Sequence, residues 1–234
     1  LRAHIHSLFI GKTPPAPAEV CPFIALVVSG GHTCLVRVEA PGRYVLLGQT
    51  MDDAAGEAFD KGSNMLGLGY PGGPAIDKAA KTGRTDHATF PRGRQRKDTE
   101  RVGGLDVELC FSFSGLKTAL LYHLRDHPVS ADRVEIASLA ASYQEAIVDT
   151  LVDRCRNAMR GEKRLAAVGG VSLNSRLRTK LAEYAKSAGF RFLLSEPQYC
   201  ADNAAMVAGL AGAGQGVSGP SAMSLDVEPN LDVA

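Results

Sequence analysis

Nowhere in the 234 residues does an apolar run approach the length of a bilayer-spanning segment, although 45% of the chain is hydrophobic. That excludes a membrane-helix protein and points to a soluble globular one, long enough for one large or two small domains. An excess of charge of one sign is also missing. Lys and Arg number 26 against 25 Asp and Glu, a net charge of +1, so any nucleic-acid contact must come from local clustering. The cysteines (Cys21, Cys34, Cys110, Cys155 and Cys200) are odd in number, scattered and free of any C-x-x-C pair. This excludes a disulfide framework and a cysteine zinc site, and it points to a reducing, cytoplasmic setting. H-E-x-x-H occurs nowhere, which removes the commonest metalloprotease signature. No signal-peptide pattern and no initiator methionine precede Leu1-Arg2-Ala3-His4, so the opening reads as the end of a region lying upstream.

What is present centres on Val27-Val28-Ser29-Gly30-Gly31-His32-Thr33, an apolar run broken by adjacent glycines and resumed at Cys34 to Val38. Two strands around Gly-Gly read as a β-hairpin whose turn needs positive φ at both central positions. Such a turn also exposes consecutive N–H groups that can hold a phosphate, although an ordinary hairpin has the same sequence. Upstream, His4 and His6 are two apart and cannot share a helical face, so they form no ligand pair by themselves. Thr13 to Ala18 is proline-rich and reads as an extended linker separating the opening segment from the core.

Strands are expected at Phe23 to Ser29, Thr33 to Val38 and Tyr44 to Gln49, the last two joined by the turn at Ala40 to Arg43. A helix is expected from about Asp52, with Asp52 and Asp53 as its cap. Gly67 to Pro74 reads as a loop, and a short helix follows over 75–81. In residues 82–108, Arg84, Arg92, Arg94, Arg96, Lys97 and Arg101 concentrate positive charge, a candidate phosphate-backbone contact. Helices are expected from about Ser114 to Arg125 and from Asp132 to Met159. In the longer one, Ile136, Leu139, Ala140, Tyr143, Ile147, Thr150 and Leu151 keep a helical period and mark the core face. The chain then alternates: strand at Leu165 to Val168, helix at Leu173 to Ser187, strand at Phe190 to Leu194, helix at Asn203 to Ala213. Three hairpin-linked strands followed by alternating helices and strands give an α/β fold class, the ribonuclease-H-like lobe of the actin, sugar-kinase and Hsp70 fold with a mixed sheet. Gly30-Gly31 and Gly169-Gly170 both follow strands, where α/β domains gather their ligands.

Six ordered segments carry a family resemblance across the chain from His4 onward. They are Val27 to Thr33, Asp52 to Lys61, Tyr70-Pro71-Gly72-Gly73-Pro74, Phe111 to Lys117, Gly169 to Asn174, and Ala201 to Met206. Together they resemble the TsaD family of tRNA adenosine threonylcarbamoyltransferases. The resemblance implies that the family's first lobe is largely missing, with residues 1–22 a remnant of it plus a linker, 23–213 the second lobe, and 214–234 a tail. It implies one iron or zinc ion held by two histidines four apart and a later aspartate. His4 matches the second histidine and Asp202 the aspartate, while the first would fall immediately before Leu1. Arg2 and Ala3 replace the usual Glu and Gly between the histidines. With two of three ligands in the chain, metal binding is expected to be poor.

The resemblance assigns Val27, Val28, Ser29, Gly30 and Gly31 to a phosphate- and acyl-facing loop. It places Asp60, Gly73 and Asp77 around a ribose, and Asn174 at an adenine. Carboxylates accept from ribose hydroxyls, glycines permit close backbone approach, and an amide both donates and accepts. Ser29 stands where related kinases and ATPases carry an Asp for phosphoryl transfer, so acyl transfer is the implied chemistry. The implied substrates are threonylcarbamoyl-AMP and tRNA. The implied partners are a paralogous dimer subunit and an ATPase, in the cytoplasm and away from membranes. A non-catalytic adenylate-binding scaffold of the same fold is the alternative.

Overall fold

The computed structural model describes residues 1–93, 100–128, 133–217, 219, 220 and 222. Its centre is the run Phe23–Val28 (β1), buried at every position. Ile24, Leu26 and Val28 point into one core and Phe23, Ala25 and Val27 into another, because successive strand side chains alternate faces. β1 pairs antiparallel with Thr33–Ala40 (β2), and β2 with Arg43–Gln49 (β3). On its other edge β1 runs parallel to Arg164–Val168 (β6), which is parallel to Arg191–Leu194 (β7). The sheet order is therefore β3-β2-β1-β6-β7, and a separate two-stranded ribbon joins Arg101–Val102 (β4) to Leu105–Asp106 (β5). This is the mixed α/β sheet expected from the order of elements.

Helices cover both faces. One face packs against Ala55–Met65 (α3), Gly72–Ala80 (α4), Ser114–Asp126 (α5), Arg133–Ala158 (α6) and Ser175–Ala188 (α7). The other is covered by Arg2–His6 (α1), the turn at Ser7–Phe9 and Pro17–Val20 (α2), through Ile5, Leu8 and Val20. Residues 1–22 thus share the second core instead of standing apart from it. The expected extended linker ends in α2, since proline is tolerated at a first helical position, where no N–H is needed. Ala204–Gly212 (α8) lies against α1. Among the described residues no helix is long and apolar enough to cross a membrane.

Two expected boundaries move, each for a tertiary reason. α3 begins at Ala55, and Ala54 caps it without a side-chain bond. Asp52 instead caps α5 from across the chain, accepting from Phe113 N–H (2.7 Å), Ser114 N–H (3.2 Å) and the hydroxyls of Ser112 (2.6 Å) and Ser114 (2.9 Å). Burial pushes this carboxyl up, but the hydrogen bonds outweigh it and hold the group below its usual value. Asp52→Ala strands two backbone donors, so unfolding in urea is expected to show a loss of about 1–2 kcal/mol. α4 begins at Gly72, inside the expected loop, because the Gly72 N–H is anchored by Asp60 Oδ1 at 2.7 Å.

α6 crosses the core. Its expected apolar set is buried except for the half-buried Ile136, and so are the polar Gln144, Glu145 and Arg154. Arg154 donates to the carbonyls of Cys110 (2.7 Å) and Gly93 (3.1 Å). Glu145 receives Arg176 at 2.7 and 2.8 Å, together with Lys180, which also pairs with Asp149. Burial raises the Glu145 carboxyl, but these bonds overcome it and bring the group to about 2. The folded value lies below the unfolded 4.5, so the stabilisation is complete above pH 4.5 and disappears as pH falls toward 2. At pH 7, Glu145→Gln is expected to cost about 1–2 kcal/mol after allowing for the partial exposure of Arg176. Melting curves of the two proteins should converge across that acid window.

Candidate active site

Because β1 and β6 are parallel neighbours, the loops after them emerge at the same end of the sheet. Ser29 closes the first: its N–H donates to the His32 carbonyl (2.8 Å) and its hydroxyl accepts from His32 N–H (3.1 Å). The Ser29 carbonyl is thereby left to Gly56 N–H at 3.2 Å. A side chain on Gly56 would lie 2.5 Å from that carbonyl and 2.7 Å from Gly30 Cα, so only glycine lets α3 approach. The second loop turns at Gly169, with φ +91° and ψ 164°, where a Cβ would strike the Val28 carbonyl.

Gly30 and Gly31 do not take the positive φ expected of them. The turn is closed by the Ser29 hydroxyl, which relieves the glycines of that conformation. Their amides make no hydrogen bond among the described residues, and a Cβ on either would meet nothing within 4 Å. The same space surrounds Gly73 and Gly170. All of these glycines line one cleft of about 1010 Å³. The fold's packing requires none of Gly30, Gly31, Gly73 and Gly170 to lack a side chain, and without one each leaves the cleft open at its position.

The cleft also holds His4, Asp60, Asp77, Asn174 and Asp202, so residues far apart in sequence meet there. Val27 and Val28 do not line it; fully buried in β1, they position the loop. Asp60 is tied to Gly72, and Asp77 accepts from the Ser175 hydroxyl (2.7 Å) and N–H (3.2 Å). Asn174 caps α7, accepting from Leu177 N–H at 3.0 Å and donating to Gln144 Oε1 at 2.7 Å. Its amide is largely committed to the fold, leaving one N–H and one acceptor site for a ligand.

At the other side of the cleft, His4 Nε2 lies 3.0 Å from Asp202 Oδ1. The His4 ring is buried and its Nδ1 has no hydrogen-bond partner. Burial pushes the imidazole below its ordinary value, against the pull of Asp202. His32, which also lines the cleft, is lowered by burial in the same way. Asp202 is held at the start of α8 by Asn203, which accepts from Met206 N–H at 2.9 Å. Ser7 ties α1 to the segment before Asp202 through Ser195, hydroxyl to hydroxyl at 2.6 Å. Gly209 lets α8 approach the His6 ring, where a Cβ would sit at 3.1 Å. His6 is therefore a packing residue. One imidazole and one carboxylate suit iron or zinc, yet among the described residues no group of three His, Cys, Asp or Glu could hold a metal. As they stand, the two are short of the three protein donors that an open catalytic zinc site uses.

Of the basic stretch, Arg84 pairs with Asp86 (3.1 Å) and Arg92 with Asp149 (2.6 Å), and Arg101 is exposed in β4. Arg94, Arg96 and Lys97 lie outside the described residues. The sequence reading missed His32, Gly56, Ser7 and Ser195. His32 and Gly56 lie inside the segments Val27 to Thr33 and Asp52 to Lys61 that carry the resemblance, whereas Ser7 and Ser195 lie outside all six.

The family profile described as tRNA N6-adenosine threonylcarbamoyltransferase, TsaD, matches residues 1–209. This chain belongs to the TsaD family. It is 48% identical over 211 residues to the TsaD-family protein of Anaeromyxobacter sp. (strain Fw109-5), covering 89% of this chain and 59% of that relative. With the relative from Clostridium perfringens the identity is 41% over 233 residues, 99% of this chain and 65% of that protein. Both bear the name tRNA N6-adenosine threonylcarbamoyltransferase. This chain thus spans about three-fifths of the length of these relatives. Among solved structures, T. kodakarensis HypF superposes with a TM-score of 0.58 at 14% identity, over 92% of this chain and 36% of its own. That likeness shows the fold, in agreement with the mixed α/β class.

Proposed function

We propose that this chain contributes to the transfer of the threonylcarbamoyl group from threonylcarbamoyl-AMP to the exocyclic amine of the tRNA adenosine adjacent to the anticodon. The amine nitrogen bonds to the carbamoyl carbon, the bond from that carbon to the phosphate oxygen breaks, AMP leaves with the electron pair, and one amine proton passes to solvent. The observation that carries this reading is the cleft in which Gly30, Gly31, Gly73 and Gly170 leave space that no described residue fills. The amides of Gly30 and Gly31 would stabilise charge developing on the acyl-phosphate. Asp60 and Asp77 would accept from the ribose, and the remaining N–H and acceptor site of Asn174 would meet the adenine. His4 and Asp202 would hold iron(II) or zinc, a Lewis acid that polarises a carbonyl when bound.

The wider assignment goes with it: tRNA as substrate, a paralogous dimer subunit and an ATPase as partners, and the cytoplasm as the setting. So does the division into a first-lobe remnant at 1–22, the second lobe at 23–213 and a tail at 214–234. The direct contact between His4 and Asp202, with no further donor among the described residues, favours a second reading, an adenylate-binding scaffold without transfer. The test is to incubate the chain with tRNA and threonylcarbamoyl-AMP, follow AMP release and analyse digested tRNA by mass spectrometry. Modified adenosine supports transfer. Unmodified tRNA together with AMP binding in a parallel calorimetric titration supports the scaffold, and the absence of both modification and binding would sink both readings.

A further inference from the structure

Among the described residues Tyr70 is the most exposed large hydrophobic side chain, at 85%, and it lines the cleft. Its surroundings are the opposite of floppy. The Gly69 carbonyl before it accepts from the Ser63 hydroxyl at 2.6 Å, and the Gly72 N–H beyond it donates to Asp60 at 2.7 Å. Pro71 follows directly, fixing φ at the next residue. The backbone on either side of the ring is thus anchored, and no hydrogen bond or ring contact engages the ring itself among the described residues. The exposed Tyr122 is different: the guanidinium of Arg125 lies over its face at 4.9 Å. Among the described residues that line the cleft, Tyr70 is the exposed aromatic with an unoccupied face.

We propose that Tyr70 is a stacking platform for a nucleobase of the RNA substrate, an inference that rests on the function proposed above. A base in a folded RNA loop must leave its neighbours before its exocyclic amine can enter a cleft, and an aromatic face at the entrance offsets the lost stacking. The groups suited to a free adenylate lie deeper: Asn174 is buried, and Asp60 and Asp77 are half-buried. Tyr70, far more exposed, lines the same cleft from its solvent side, where a polymeric substrate can reach it. Stacking is tolerant of base identity, so Tyr70 sets position more than sequence choice.

The chain contains no tryptophan, so Tyr70→Trp installs a single indole reporter at this position. Adding an anticodon stem-loop RNA is expected to quench its emission, and adding AMP to leave it unchanged. In parallel, anisotropy of the labelled stem-loop is expected to show Tyr70→Leu binding about 5- to 150-fold more weakly than the parent chain, and Tyr70→Phe binding within about twofold. Quenching by AMP and not by RNA would assign the ring to the adenylate and overturn the inference. Equal RNA affinity of the Leu variant and the parent would overturn it as well, while leaving the proposed function standing. A parent chain that binds no RNA at all removes the proposed function and the stacking role together.

Discussion

Replacing Gly169 by alanine should unfold the protein far more readily, whereas replacing its neighbour Gly170 should leave stability untouched and damage ligand binding. At Gly169 the backbone sits at φ +91° and ψ 164°, a region reached almost only by glycine, and a Cβ would run into the Val28 carbonyl. The conformational strain is about 1–3 kcal/mol and the overpacking of β1 adds about 1–3 more. A loss of about 4 kcal/mol is a large part of the 5–15 kcal/mol that holds a typical domain together. For a chain of this size it should lower Tm by about 10 °C. Gly170 has no positive φ and nothing within 4 Å of a Cβ, so alanine there should change stability by less than about 0.5 kcal/mol. Its methyl would instead enter the cleft. Calorimetric titration with AMP is expected to show affinity at least about tenfold weaker, about 1.4 kcal/mol. A Gly170→Ala protein that binds AMP as the parent does would mean that the open space is incidental.

These two glycines also show what the sequence could and could not disclose. Gly169-Gly170 after a strand marked a ligand-bearing loop, and the strands themselves were legible because β1 is a continuous apolar run. Which glycine serves the fold and which the ligand depends on the distance to Val28, a residue of another element. The same limit explains Asp52. Its position before a helical pattern suggested a cap for α3, but its carboxylate reaches Ser112 and Ser114 and caps α5 instead. It also explains the turn at Gly30-Gly31, where the Ser29 hydroxyl supplies a bond that a tight two-residue turn would draw from backbone in the left-handed region. In α6 the periodic apolar residues were readable, whereas the buried Glu145 was not, since its burial is compensated by Arg176 and Lys180 from α7. Of the candidate site, Asp60, Asp77 and Asn174 came from resemblance alone, and the cleft gathers them with no sequence signal of its own.

The largest change in metal affinity is expected from one histidine. A histidine placed directly before Leu1 would stand four positions ahead of His4, and helical residues at that spacing are neighbours on one face. α1 already runs from Arg2 to His6, and Leu1 lines the cleft beside His4 and Asp202. The chain as it stands brings one imidazole and one carboxylate together, short of the three protein donors that open catalytic zinc sites use. The parent chain is therefore expected to bind zinc weakly, and the extended chain at least about 100-fold more tightly, about 2.7 kcal/mol. His4→Asn in the extended chain should cancel most of that gain, because it removes the imidazole that connects the added ligand to Asp202. Titration with zinc, read by calorimetry and by the rise in Tm that a ligand of the folded state produces, gives the comparison directly. Equal affinities in the parent and extended chains would place the metal elsewhere. Stoichiometric tight binding by the parent alone would mean that His4 and Asp202 recruit a donor other than the added histidine, such as the His32 ring that shares their cleft.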